Sequence, residues 1–427
     1  MGTDSDNVQA GDSGQPGAGG PLDGIKVVEI TNIYSGPYAG LMLAEMGADV
    51  VKVEGPAQPD PMRGGGFGSG PDSVNSIFYS LNRGKRFAAI EAGTERGREL
   101  LFELVAGADV FLHNLRPGKA ENLGLAYEEL SARNPRLIHA AISGVGSIGP
   151  EVDQPIFDYV IQAKTGMIDY QRDQAGHGDL MHQLVVDKTS ANALVQAILA
   201  ALYVRERTGR GQQIEVPMIA VGLHFAWTDA FAAGLAELEP DIPYDVMPPH
   251  LKAAPASFLV VLSTIDGEIA TGLLVPPWDG LCLALDRADW TVDERYAEPQ
   301  NRLMNFPALL QEVKTEVAKY TTAEVLERFA AHDFAAGAVV PREDVFDDPT
   351  VRYLELVGEE EVEILGRVRQ PAPMWTFGAT PARTTTHIGT TGRDTREVLA
   401  RLGLGADEIE SLIAAGVASV VEGDEIS

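Results

Sequence analysis

The strongest constraint on the fold is an alternation that runs from residue 25 to residue 143. Ile25–Ile33 (IKVVEITNI), Ala48–Val53 (ADVVKV), Phe87–Ile90, Asp109–His113 (DVFLH) and Arg136–Ser143 (RLIHAAIS) are short runs rich in apolar and β-branched residues. Between them, Pro37–Met46 and Glu95–Val105 carry apolar residues on a helical period. Thr94 opens the second of these, and Leu100, Leu101, Leu104 and Val105 lie on one side of it. Strands that alternate with helices predict an α/β fold, with a parallel sheet covered on both faces and right-handed crossovers.

The rest of the chain suggests an interruption. Asp187–Arg207 is the best helix, with a broad apolar face built from Leu194, Val195, Ile198, Leu199 and Leu202. Thr208-Gly209-Arg210-Gly211 stops it, and Gln212–Val216 restarts as a strand. The style then changes. Prolines 240, 243, 248 and 249 break the pattern, Thr264–Ala270 reads as a hairpin around Asp266-Gly267, and Leu309–Lys319 and Thr322–Ala331 read as helices. From Ala338 the first style returns and ends in helices near Asp394–Leu402 and Ala406–Ala414. The expected organisation is a disordered tail over residues 1–20, a large domain from 21–225 with 338–427, and a small domain over 226–337.

Composition excludes several functions. The 427 residues carry 33 Lys plus Arg against 62 Asp plus Glu, a formal net charge of −29. Such a surface repels phosphate backbones and anionic lipid, so neither nucleic acid nor a membrane surface is an expected partner. A small anionic ligand remains compatible, because a few local cations and helix N-termini can hold one. The single cysteine, Cys282, allows no intrachain disulfide and no cysteine-based zinc site, and the eight histidines show no metal-binding spacing. No metal and no tightly bound cofactor is therefore expected. The apolar run Ala191–Val204 is short for a bilayer, and the first 20 residues lack the basic and apolar regions of a signal peptide, so the expected location is the cytoplasm.

The turn after the first strand reads Thr31-Asn32-Ile33-Tyr34-Ser35-Gly36-Pro37, which is neither a dinucleotide fingerprint nor a P-loop. Ligands of open parallel sheets bind beyond the carboxyl ends of the strands. That rule marks Asn32–Ser35, Val53–Gly55, Glu91–Thr94, Asn114–Gly118 and Ser143–Val145 as the rim. Asn114-Leu115-Arg116-Pro117-Gly118 reads either as a solvated turn or as a set of hydrogen bonds and one positive charge for a phosphate. Asp187, just before a strong helix, reads either as a helix N-cap or as a carboxylate kept ionised by the helix end and able to attack an activated acyl group.

An ordered set of motifs resembles the family III CoA-transferases (the CaiB/BaiF, formyl-CoA transferase-like superfamily). It comprises Pro21-Leu22-Asp23-Gly24-Ile25-Lys26-Val27-Val28-Glu29, Ser35-Gly36-Pro37, Met46 to Glu54, Asn82-Arg83-Gly84-Lys85-Arg86, Ala108 to Gly118, Thr208 to Gln212, Gly366 to Pro371 and Thr380-Pro381-Ala382. The resemblance spans residues 21–415. It implies a Rossmann-like large domain built from both chain ends, a smaller inserted α+β domain, and an interlocked homodimer. It implies an enzyme that moves CoA from an acyl-CoA thioester to a carboxylic acid, with Asp187 as catalytic nucleophile. CoA contacts carried over by position are Tyr34, Ser35, Ile90, Glu91, Asn114, Leu115, Arg116, Phe157 and Asp158.

The chain departs from that pattern in places. Tyr34 stands where formyl-CoA transferase-like members have Gln, and Gly55 and Asn122 replace basic residues used for the nucleotide in some members. Phosphate binding then falls to Arg116, Lys119 or Arg63. Pro249 to Pro255 lacks the glycine-rich loop that protects intermediates in formyl-CoA transferases. Phe157 occupies the place of the histidine base of α-methylacyl-CoA racemase-like members, and phenylalanine accepts no proton. Racemase-like chemistry, acyl-CoA hydrolysis on the same fold and non-catalytic acyl-CoA binding are the alternatives. Phe225, Trp227 and Trp278 are candidates either for an acyl pocket or for core packing.

Overall fold

A computed structural model describes residues 19–64, 74–172, 177–231, 258–274 and 277–420. The expected tail, the Pro249–Pro255 segment and the acidic stretch Glu422–Ser427 lie outside the described residues, apart from residues 19 and 20 of the tail. The chain forms two compact units. The first takes Met1–Thr165, Leu180–Leu223 and Tyr353–Ser427; the second takes Gly166–Asp179 and His224–Arg352.

In the first unit, β1 (Lys26–Ile30), β2 (Asp49–Glu54), β3 (Arg86–Ile90), β4 (Val110–His113), β5 (Ile138–Ser143) and β6 (Gln213–Pro217) form one parallel sheet in the order 3-2-1-4-5-6. This is the Rossmann order, which reverses direction between β1 and β4. The interior strands are nearly continuous buried runs, as a sheet covered on both faces requires. A short strand, Ala418–Ser419, adds to the far edge antiparallel to β3. Sequence alone did not show it, because two residues carry no period.

One side of the sheet buries Val28, Val51, Ala88, Ile90 and Phe111 against Leu100, Leu101 and Val105 of the helix Glu95–Ala106. The same core holds Val398 and Leu399, Ile409 and Leu412, from the helices Thr395–Arg401 and Ala406–Ala414. Both ends of the chain thus supply one hydrophobic interior. On the other side runs the helix Val185–Thr208, whose 24 residues end at Gly209 with φ +72°, a left-handed stop that glycine takes without strain. By length and apolar composition this helix could cross a bilayer, contrary to the expectation drawn from the run Ala191–Val204. Here it is a core element, with Ser190, Ala191, Leu194, Ile198 and Ala201 fully buried.

The second unit is an antiparallel sheet of Leu259–Ser263, Glu268–Gly272 and Ala336–Ala338, with the helices Trp278–Ala284, Phe306–Val317 and Thr322–Ala331 around a core of its own. Ser263 pairs with Glu268 across the expected Asp266-Gly267 turn. Ala336–Ala338 joins this sheet, and the unit continues to Arg352, beyond the expected limit at residue 337.

Candidate active site

The switch between β1 and β4 opens onto a cavity of about 540 Å³, whose described lining residues all belong to the first unit. Three stretches of the expected rim line it: Asn32–Ser35 after β1, Asn114–Pro117 after β4, and Ser143–Val145 at the end of β5. Phe157, Met218 and Asp187 also line it. Arg116 and Lys119 are the lysine and arginine residues on its wall, and both are exposed. Ser143 and Ser147 donate to the two oxygens of Glu215 at 2.7 and 2.9 Å, which fixes the loop after β5.

Asp187 is the third residue of the helix Val185–Thr208, not its N-cap. The residue at the N-cap, Leu184, has no side chain suited to the task. Asp158, first residue of the helix Asp158–Lys164, substitutes for it. Its Oδ2 accepts the backbone N–H groups of Val186 at 2.7 Å and Asp187 at 3.0 Å, while Gln162 donates to its Oδ1 at 2.6 Å. These are the donors that an N-cap side chain normally satisfies. From the other side, Ser35, the first residue of the helix Ser35–Glu45, lines the same cavity, and its hydroxyl and backbone N–H are the donors that favour the ionised Asp187 carboxylate.

The electrostatics differ from the expectation of a carboxylate held low by a helix end. Burial and the neighbouring Asp158 push the Asp187 carboxyl up to about 6, and the Ser35 donors offset only part of that. Its charged form is therefore less stable than that of a surface aspartate, and more reactive. The Tyr34 hydroxyl is raised by burial and by the negative charges of Tyr38 and Asp187.

The remaining site residues divide. Tyr34, Ser35, Asn114, Leu115, Arg116 and Phe157 line the cavity. Phe157 is 43% exposed and stacks on Tyr159 at 5.9 Å. Asp158 is 2% exposed, bonded to the start of the Asp187 helix, and does not line the cavity. Ile90 and Glu91 do not line the cavity. β3 lies two strands from the switch, Ile90 is buried in the core, and the Glu91 N–H is bonded to the Val417 carbonyl. Arg63 is not available to a phosphate. It is fully buried, holds Glu54 through two bonds at 2.8 and 2.6 Å, and lies over the Phe78 ring. The β2 end at Val53–Gly55 is likewise outside the cavity. Trp278 stacks on Trp290 in the second core, while Phe225 and Trp227 are about two-fifths exposed. His182 is not among the residues lining the cavity.

One group beneath the site was not anticipated. Glu29 and Lys52 are register partners in β1 and β2, both fully buried. Lys52 Nζ reaches Asp60 at 2.9 Å and Glu29 at 3.4 Å, and Lys85 Nζ reaches Glu29 at 2.9 Å. Burial pulls the Lys52 ammonium down, but Asp60, Glu29 and Glu54 outweigh it and hold it above its usual value. Lys85, with less opposing charge, is lowered to about 8 by burial. The signal was present in the sequence: a charge inside a strand buried on both faces, as in VVEI and VVKV, must be paired. Above this group Ile33 has φ +72°, a conformation that costs a β-branched residue on the order of 1–3 kcal/mol.

A nucleotide-sized cleft at the switch point of a Rossmann-ordered sheet, with cations on one wall and a poised carboxylate on another, suits an anionic activated acyl compound. The family model of CoA-transferase family III matches residues 22–395, and the chain belongs to this family. It is 31% identical to the probable fatty acyl-CoA transferase Rv3272 of Mycobacterium tuberculosis over 84% of this chain and 93% of that protein. It is also 31% identical to the succinate–glutarate CoA-transferase of Agrobacterium fabrum, over 90% and 96%. Among solved structures, Rv3272 superposes with a TM-score of 0.74 at 27% identity, covering 89% of this chain and 99% of that one. A CaiB/BaiF family protein from Brucella suis gives 0.74 at 28%, covering 90% and 100%.

Proposed function

We propose that this chain transfers CoA from an acyl-CoA thioester to a carboxylic acid, with Asp187 as the nucleophile. The observation that carries this reading is the Asp187 carboxylate itself, set in the cavity wall between two helix N-termini with a pKa of about 6. At pH 7 such a group is roughly nine-tenths ionised, yet desolvated enough to attack.

The steps conserve the thioester's energy. An Asp187 oxygen attacks the acyl carbonyl, the carbon–sulfur bond breaks, and CoA thiolate leaves behind a mixed anhydride. The thiolate then attacks the Asp187 carbonyl of that anhydride. The donor acid departs as its carboxylate, and an aspartyl-CoA thioester remains. An acceptor carboxylate attacks this thioester and expels the thiolate. The thiolate finally attacks the acceptor's carbonyl, releasing the new thioester and the free Asp187 carboxylate. No water and no net proton enters, which favours a shielded site. Arg116 and Lys119 provide positive charge for the CoA phosphates, and Ser35 holds the nucleophile. The resemblance that supports this chemistry also supports an interlocked homodimer; light scattering at twice the chain mass would establish the dimer.

The test uses purified protein with a panel of acyl-CoA donors and carboxylate acceptors. Hydroxylamine added during turnover is expected to convert Asp187 to its hydroxamate, seen by mass spectrometry. An Asp187→Ala variant that keeps full transfer activity would falsify the assignment.

A further inference from the structure

The loop that delivers Ser35 to Asp187 is held from three sides. Lys52 Nζ donates to the Thr31 carbonyl at 2.7 Å. Asn114 brackets Asn32, accepting its N–H at 2.9 Å and donating to its carbonyl at 2.8 Å. Asp60 Oδ1 accepts the Ile33 N–H at 3.1 Å and that of Met62 at 3.0 Å. Lys52 and Asp60 are bonded to each other, and their side chains are fully buried. Apolar residues of similar volume often stabilise a core as well as a buried ion pair does, so such a pair asks for a reason beyond stability. Ile33 supplies one. Its left-handed φ of +72° is unfavourable for isoleucine, and it persists only because its surroundings over-determine it. Two residues later the chain enters the helix Ser35–Glu45, whose first residue shares the cavity wall with Asp187.

We propose that the buried Lys52–Asp60 pair, together with Asn114, is a positioning device: it holds Ile33 left-handed so that Ser35 keeps its place beside Asp187 on the cavity wall. The proposal rests on the reading of Asp187 as nucleophile. A loop relaxed at Ile33 withdraws donors that favour the ionised carboxylate, and leaves Asp187 facing the negative charge of Asp158 and the Tyr34 hydroxyl.

The test is a double-mutant cycle. Asp60→Asn keeps the size and removes the charge. It is expected to lower kcat by about tenfold or more while the KM for acyl-CoA changes by less than about threefold, with the acid limb of the pH profile moved to higher pH. Adding Ile33→Gly, which takes a positive φ without penalty, is expected to return at least about threefold of the lost kcat. A merely structural loss gains nothing from glycine. Unchanged kcat and acid limb in Asp60→Asn, or a further fall on adding Ile33→Gly, overturns the proposal. If circular dichroism shows that Asp60→Asn does not fold, Asn114→Ala loosens the same loop from the half-buried side and is read through the same glycine rescue. Should the wild-type protein show no transfer, or Asp187→Ala keep it, the proposed function fails, and the positioning is read without turnover. Amide hydrogen exchange in a peptide covering 31–36 is then expected to quicken in Asp60→Asn while 194–202 stays protected. Unchanged exchange in 31–36 refutes it.

Discussion

Asp158 Oδ2 holds the backbone N–H of Asp187 at 3.0 Å while its negative charge raises the carboxyl of that same residue. Support for the helix end and tuning of the Asp187 carboxyl come from one side chain. In Asp158→Asn an amide oxygen still accepts the two N–H groups, but the charge is gone. The acid limb of kcat/KM is expected to move to lower pH. A limb that stays in place in a pH-rate profile would show that burial alone sets the Asp187 value.

The wild-type protein should show that limb near pH 6. On the proposed mechanism the ionised carboxylate is the reacting form, so activity is expected to fall as pH drops through the folded pKa of about 6 and to level off above it. Asp187→Asn removes the proposed nucleophile at nearly constant volume and is expected to reduce kcat by about 10³-fold or more at every pH. Steady-state rates between pH 5 and 8 check both statements.

Arg116 is exposed on the cavity wall, and Arg63 is committed elsewhere. Arg116→Ala is therefore expected to raise the KM for acyl-CoA by about five- to tenfold with kcat within about twofold, because the lost contact is made equally in ground and transition states. The salt dependence of KM should weaken in the variant. A selective loss of kcat would place Arg116 at the reacting carbonyl instead.

His113 closes β4 with both ring nitrogens buried and without a partner among the described residues, its ring 4.9 Å from that of His139. Burial, with a smaller push from His139, lowers it from 6.5 to about 3. Below pH 6.5 the unfolded chain takes up a proton that the folded chain refuses until about pH 3, so this residue's contribution falls as pH drops through that window. His113→Phe removes the effect. Relative to the wild type, it is expected to gain about 2 kcal/mol at pH 5 compared with pH 8. Urea unfolding of both proteins at the two pH values measures the difference.

Much of this arrangement was legible in the sequence. The β-branched runs around Val27, Val50 and Phe111 mark the parallel strands, and their order in the chain with the Asn32–Ser35 and Asn114–Gly118 turns marks the mouth of the cavity. The family motifs singled out Asp187 within its helix. What stayed hidden depends on pairing between distant residues. No local pattern says that Asp158 caps a helix that begins 27 residues later, or that Arg63 turns inward to Glu54. Ile90 and Glu91 were carried over by position from the family resemblance; in the folded chain they end two strands from the switch and do not line its cavity.

The edge of β3 remains open until late in synthesis. Ala418 and Ser419 pair with Ile90 and Ala89, while Asp394 and Thr395 accept the N–H groups of Phe87 and Ala89. At ribosomal speeds, roughly tens of seconds separate the emergence of β3 from that of its cover. During that interval a nascent chain displays unpaired amides along an apolar strand, the kind of template that recruits a neighbouring polypeptide. Recombinant yield should then depend on growth temperature and on chaperone supply, and a chain shortened before Asp394 should collect in inclusion bodies even though the residues around Asp187 are intact.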